Sequence, residues 1–124
     1  MKYLLLAYHE EKKWDALSQS EKDEIQSQCA PHEEAFRDGG HLLVQECLQP
    51  IRNTTTVRLR NGKLSVTDGP FAETKEQVGG FYLIEARDLN EAIQVASKTA
   101  AAHLGEHLGW GIEIRPIEDK TGQS

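Results

Sequence analysis

Apolar and polar positions divide this chain into segments of two periods. Tyr3 to Tyr8 is an unbroken apolar run with no polar face, as expected of a strand covered on both sides. Ser18-Gln19-Ser20-Glu21 then reads as a capping box, with Ser18 as N-cap. Behind it Ile25, Cys29, His32 and Phe36 recur at spacings of 4, 3 and 4, one stripe along a helix that Gly39-Gly40 ends. Pro31 falls inside this pattern and is expected to kink or split the helix. His41 to Leu48 is a second strand.

Thr54–Arg60 and Lys63–Thr67 flank Asn61-Gly62, a strong type I′ hairpin signal. The two-residue turn sets Arg60 opposite Lys63, Leu59 opposite Leu64, Arg58 opposite Ser65 and Val57 opposite Val66. One face of the hairpin is then apolar, the other polar, and the apolar face is expected to be the buried one. Continuing the register puts Asp68 on the apolar face, at its rim and partly desolvated. Val78 to Glu85 is the next strand, apolar on both faces. Asp88-Leu89-Asn90-Glu91 opens a second helix expected to run to about Leu104, with Ile93, Ala96 and Ala100 inward. Gly111 to Pro116 is the last strand, and Glu118 to Ser124 reads as a frayed polar tail.

The predicted order is β-α-β-β-β-β-α-β. With the Asn61-Gly62 hairpin treated as an extension of the sheet, the rest is a ferredoxin-like βαββαβ plait of the α+β class. Its two helices cover one sheet face. Apolar residues on both faces of Tyr3–Tyr8 and Phe81–Ile84 predict that the other face packs against a second copy, as a homodimer.

At 124 residues, 38% hydrophobic and 27% charged, the chain fits one folded domain, read as residues 1–117 with a tail at 118–124. A net charge of −6 argues against nucleic acid as a partner. No apolar run is long enough to span a bilayer, so a membrane is not expected and the cytoplasm is the default location. Cys29 and Cys47 read as free thiols and small buried hydrophobes.

The densest chemistry lies between the hairpin and the fifth strand. From Asp68 to Glu76 the chain gathers three carboxylates and one ammonium around Gly69-Pro70. A loop on rigid strands is a common seat of binding or acid–base work, although a charge run is equally the mark of a solvated turn. Asp68 is the candidate acid–base group, with Glu73 and Lys75 assisting, and Glu76 and Arg58 as groups that could hold a substrate. Arg115 and Glu113 alternate with Ile112 and Ile114, either lining a barrel mouth or pairing with each other. His103-Leu104-Gly105-Glu106-His107 has H-x-x-E-H spacing, but Gly105 inside it argues against the single helix that a zinc site requires, and no metal is expected.

Val66-Thr67-Asp68-Gly69-Pro70-Phe71-Ala72-Glu73-Thr74-Lys75-Glu76, followed by Gly79-Gly80-Phe81-Tyr82, resembles the DGPF branch of the YCII-related family. Leu48-Gln49-Pro50, Thr56-Val57-Arg58 and Ile112-Glu113-Ile114-Arg115-Pro116 fit the same branch. The resemblance implies a small bacterial protein forming a dimeric α+β barrel, with an active site proposed in a barrel cleft and no established reaction. Tyr82 and Arg115 stand with Arg58 and Glu76 as the substrate-binding candidates. Relatives in the wider superfamily include enzymes acting on lactones and chlorinated aromatic breakdown products, and DGPF members are associated with extracytoplasmic-function sigma factors. YCII-like relatives have a suggested His–Asp dyad. Here Asp68 has no histidine partner identifiable from sequence, His9 and His41 both being open. His103 also stands near where a proline is usual for this branch.

Two functional readings follow. One is a cofactor-independent small-molecule enzyme of lyase, isomerase or hydrolase type, with Asp68 acting in a dimer cleft. The other is a non-catalytic ligand-binding or regulatory module with a sigma factor as partner.

Overall fold

The computed structural model describes residues 1–120; the end of the expected polar tail lies outside the described residues. The strands are β1 (Lys2–His9), β2 (Leu42–Cys47), β3 (Thr55–Arg60), β4 (Lys63–Asp68), β5 (Gln77–Glu85) and β6 (Gly111–Pro116). The α-helices are α1 (Glu11–Asp15), α2 (Gln19–Asp38), α3 (Leu89–Ala96) and α4 (Ala100–His103), and short 3-10 turns occupy Ile51–Asn53 and Glu106–Leu108.

Four strands form one antiparallel sheet in the order β2-β5-β1-β6, the arrangement of a ferredoxin-like plait. Alternation along each strand sends Tyr3, Leu5, Tyr82 and Ile84 under the helices. With Phe36 of α2 and Ala92, Val95 and Ala96 of α3 they make the core. The opposite face carries Leu4, Leu6, Phe81 and Leu83, paired across β1 and β5 and half-buried.

Helix α2 starts as its sequence directs. Glu21 N–H donates to Ser18 Oγ at 3.1 Å, and Ser18 N–H donates back to Glu21 Oε1 at 2.8 Å. Of the kink or split expected at Pro31, the split does not occur: the helix runs unbroken for 20 residues. Pro31 is exposed, so the carbonyl it leaves without an amide donor can be solvated. The second expected helix does break, at Ser97–Thr99. Ser97 Oγ donates to the Ile93 carbonyl at 2.6 Å and Thr99 Oγ1 to the Ala96 carbonyl at 2.7 Å, so side chains take up groups that a continuing helix would use. Ile93, expected inward, is exposed, and Ala92 and Val95 fill that position instead.

The Asn61-Gly62 hairpin has the register expected of it, Arg60 to Lys63 through Val57 to Val66, continued by Thr55 opposite Asp68. It forms its own two-stranded sheet instead of prolonging the main one. Its expected burial is reversed. Val57, Leu59, Leu64 and Val66 are 57–72% exposed, while Thr56, Arg58 and Ser65 on the polar face are half-buried.

Candidate functional site

Helix α2 lies across the sheet, and beside the core the two part to leave a cleft of about 460 Å³. Its floor is β1, β2 and β5. Tyr82 of β5 stands directly opposite Gln45 of β2. Above them Glu33 comes down from α2, four residues after Cys29 and three before the buried Phe36. Glu33 therefore sits on the helix's inward stripe, where an apolar side chain would be the default. Tyr82 Oη donates to Glu33 Oε1 at 3.1 Å, and Gln45 Nε2 donates to Glu33 Oε2 at 3.0 Å. Both carboxylate oxygens are thus fixed by elements of the sheet.

The outer wall is aromatic. Trp14 from α1 and Trp110 from the turn before β6 line the cleft with ring centroids 6.3 Å apart, and Tyr8 closes its edge. The local backbone sets the position of Trp110. Gly105 and Gly109 both have positive φ, +71° and +73°, and Trp110 N–H donates to the Gly105 carbonyl at 3.1 Å. The indole ring covers Gly105 so closely that a side chain there would collide with it. His9 lines the cleft as well, its ring against Gly79, where an added Cβ would lie 2.8 Å from His9 Nε2.

This environment acts on two titrating groups. Desolvation first, then the nearby charge of Glu33 and its hydrogen bond, push the Tyr82 phenol well above its ordinary range. It stays a neutral donor at physiological pH. Burial first, then the Glu33 charge, push the Cys29 thiol up, so Cys29 is not an activated nucleophile.

A family model for the YCII-related domain matches residues 1–117. The chain belongs to the YCII-related family. It is also 33% identical over 117 residues to an uncharacterized protein of Rhizobium meliloti (strain 1021), covering 94% of this chain and 92% of that relative.

In this YCII-related chain the candidates read from sequence lie in several places. Tyr82 lines the cleft. Asp68 is exposed at the end of β4, on the ribbon's bare apolar face, so the partial desolvation expected of it is not present within the chain. Glu73 is exposed. Lys75 is exposed too, with Nζ 3.6 Å from Glu10 Oε1. Glu10 is itself buried at the end of β1; the Lys13 ammonium at 2.8 Å holds its carboxyl below the usual range, against the effect of burial, and Lys75 adds to this. Glu76 lines a second hollow of about 720 Å³, between the loop and the turn at Ile51–Asn53, and Tyr8 and Leu48 form a wall common to both spaces. Arg58 packs its guanidinium 4.7 Å from the Phe71 ring centroid, with Nε buried and unpartnered among the described residues. Arg115 pairs with Glu113 along β6 at 3.4 Å.

The histidines and thiols separate likewise. His41 hydrogen-bonds the Glu85 carbonyl at 2.9 Å, at the far end of the sheet from the charged loop. His103 ends α4 and stacks on His32 at 5.2 Å, while His107 lies in the next 3-10 turn, so one helix does not carry both. Cys47 is exposed and Cys29 half-buried, not fully buried as the sequence implied, because both border the cleft. Sequence reasoning missed Glu33, Trp14 and Trp110. For Glu33 the available signal was a charge placed inside an apolar helical stripe.

No helix among the described residues is long and apolar enough to cross a membrane.

Proposed function

We propose that this YCII-related protein binds a small organic molecule in the cleft between α2 and the sheet, with Glu33 as its polar anchor and proton-transfer group and Tyr82 as the phenol that positions it. The observation that carries this reading is the Glu33–Tyr82–Gln45 network at the base of a largely apolar cleft of about 460 Å³. Ligand sites are typically apolar hollows of this size with a few convergent polar groups. A carboxylate there, held by a phenol kept neutral, suits proton transfer of the kind lyases, isomerases and hydrolases use.

A homodimer belongs to the same proposal. The face bearing Leu4, Leu6, Phe81 and Leu83 is only half-buried among the described residues, and a second copy laid against it would bury it further. Light scattering is expected to give a dimer, converted to monomer by Phe81→Asp.

The test is thermal stabilisation by a library of small metabolites, with wild type, Glu33→Gln and Asp68→Asn compared. Stabilisation lost in Glu33→Gln and kept in Asp68→Asn is the expected result. The reverse pattern would move the working carboxylate to the loop and end this reading.

A further inference from the structure

Resting on the cleft reading above, we infer that the ligand is a small organic cation, an amine or quaternary ammonium on an apolar body, bound between the Glu33 carboxylate and the aromatic wall. Among the described residues Glu33 is the only acidic side chain lining the cleft, and no lysine or arginine lines it. Apart from His9, which also lines the cleft, an anionic ligand would meet no cationic lining side chain to offset the Glu33 carboxylate, whereas a cation would pair with it. Tyr82 and Gln45 each take one bond to Glu33. A carboxylate offers about four acceptor positions, so lone pairs remain for a donor from the ligand.

The aromatic wall points the same way. Tyr8, Trp14, Tyr82 and Trp110 all border this one hollow. The faces of such rings carry negative potential and attract cations, tryptophan most strongly, and grouped rings are the usual means of recognising quaternary ammonium. Trp14 already draws an ammonium within the chain: Lys22 Nζ lies 5.8 Å from its ring centroid. Neither the rings nor the carboxylate alone would specify the ligand. Together, at one concave site in a protein of net charge −6, they select for positive charge and apolar bulk at once.

The chain has two tryptophans, Trp14 and Trp110, and both line the cleft, so intrinsic fluorescence reports on it directly. The experiment titrates wild type with benzyltrimethylammonium, benzyl alcohol and benzoate, which have similar bodies and charges of opposite sign or none. Saturable quenching by the ammonium, at concentrations about tenfold below those for the other two, is the expected result. Glu33→Gln should bring the ammonium to the level of the alcohol, a loss of about tenfold for one charge-assisted contact. Benzoate binding as tightly as the ammonium, or an ammonium affinity unchanged in Glu33→Gln, would overturn the inference. Saturable binding of benzyl alcohol or benzoate in preference to the ammonium would sink the cation and leave the cleft reading standing; no saturable binding of any of the three would sink both. Should Glu33→Gln melt out of the folded state, the charge ranking on wild type decides alone.

Discussion

The chain makes two sheets from strands of similar pattern, and they have opposite fates. In the four-stranded sheet, Tyr3, Leu5 and Ile84 are 0–2% exposed beneath the helices. In the β3–β4 ribbon, the equally regular row of Val57, Leu59, Leu64 and Val66 stands in solvent within the chain. Alternation sorts side chains onto faces; it does not say which face something else will cover. The same contrast holds for charge. The loop after the ribbon gathers Asp68, Glu73, Lys75 and Glu76 and leaves all four exposed, whereas Glu33 works with two hydrogen-bond donors in an apolar hollow. Chemical potential follows surroundings more than density of charge.

The comparison can be pressed hardest in the core. Leu5 is fully buried at the centre of β1, so Leu5→Ala should lower unfolding free energy by about 3 kcal/mol, the usual cost of a cavity at such a site. Urea denaturation at fixed protein concentration measures it. A loss below about 1 kcal/mol would mean the main sheet is no better packed than the ribbon.

Next comes the turn that presents the aromatic wall. Gly105 has φ +71°, and an added methyl would strike the Trp110 ring. Gly105→Ala should cost about 2 kcal/mol, since the left-handed conformation is strained for alanine and the indole must move. Emission from Trp110 should shift red as the ring is displaced. Unchanged emission together with unchanged stability would show that this turn does not position the wall.

These sites also mark how far the sequence could be read. The strands, the hairpin register and the plait order were all legible, because each rests on local periodicity and on Asn61-Gly62. The break at Ser97–Thr99 was not, since it depends on which hydroxyls turn back onto the helix carbonyls. Of the seven candidate site residues, Asp68, Glu73, Lys75, Arg58, Glu76, Tyr82 and Arg115, only Tyr82 borders the cleft. The loop drew attention through contiguous charge. The cleft is assembled from Trp14, Glu33, Tyr82 and Trp110, with Gln45 bonded to Glu33, residues far apart in sequence that converge only once the sheet and helix meet.

A smaller effect separates the cleft network from a mere surface pair. Tyr82→Phe removes one donor to the Glu33 carboxylate and should cost about 1 to 2 kcal/mol near neutral pH. The pH dependence carries the sign. An unfolded tyrosine loses its proton near pH 10, while folded Tyr82 keeps it to higher pH, so above about pH 10 the folded state binds the extra proton and stability falls as pH rises. Melting curves of wild type should therefore decline through that alkaline range more steeply than those of Tyr82→Phe. Parallel declines would mean that the phenol titrates alike in both states and is not held in a dry network.

The smallest effect is expected on the ribbon, where its size is most instructive. Leu64 is 72% exposed and Leu59 opposite it 71%, so within the chain neither has a packed surrounding to lose. Leu64→Ala should change stability by no more than about 0.5 kcal/mol, as surface substitutions do. That result has to hold across protein concentration. If the cost instead grows past 1 kcal/mol as concentration rises, the ribbon's apolar row is covered by another copy, and the variant weakens association as well as folding. The two sheets would then differ in what covers them, the chain's own helices in one case and a partner in the other. Asp68, which shares the ribbon's apolar face, would be drawn into the same contact.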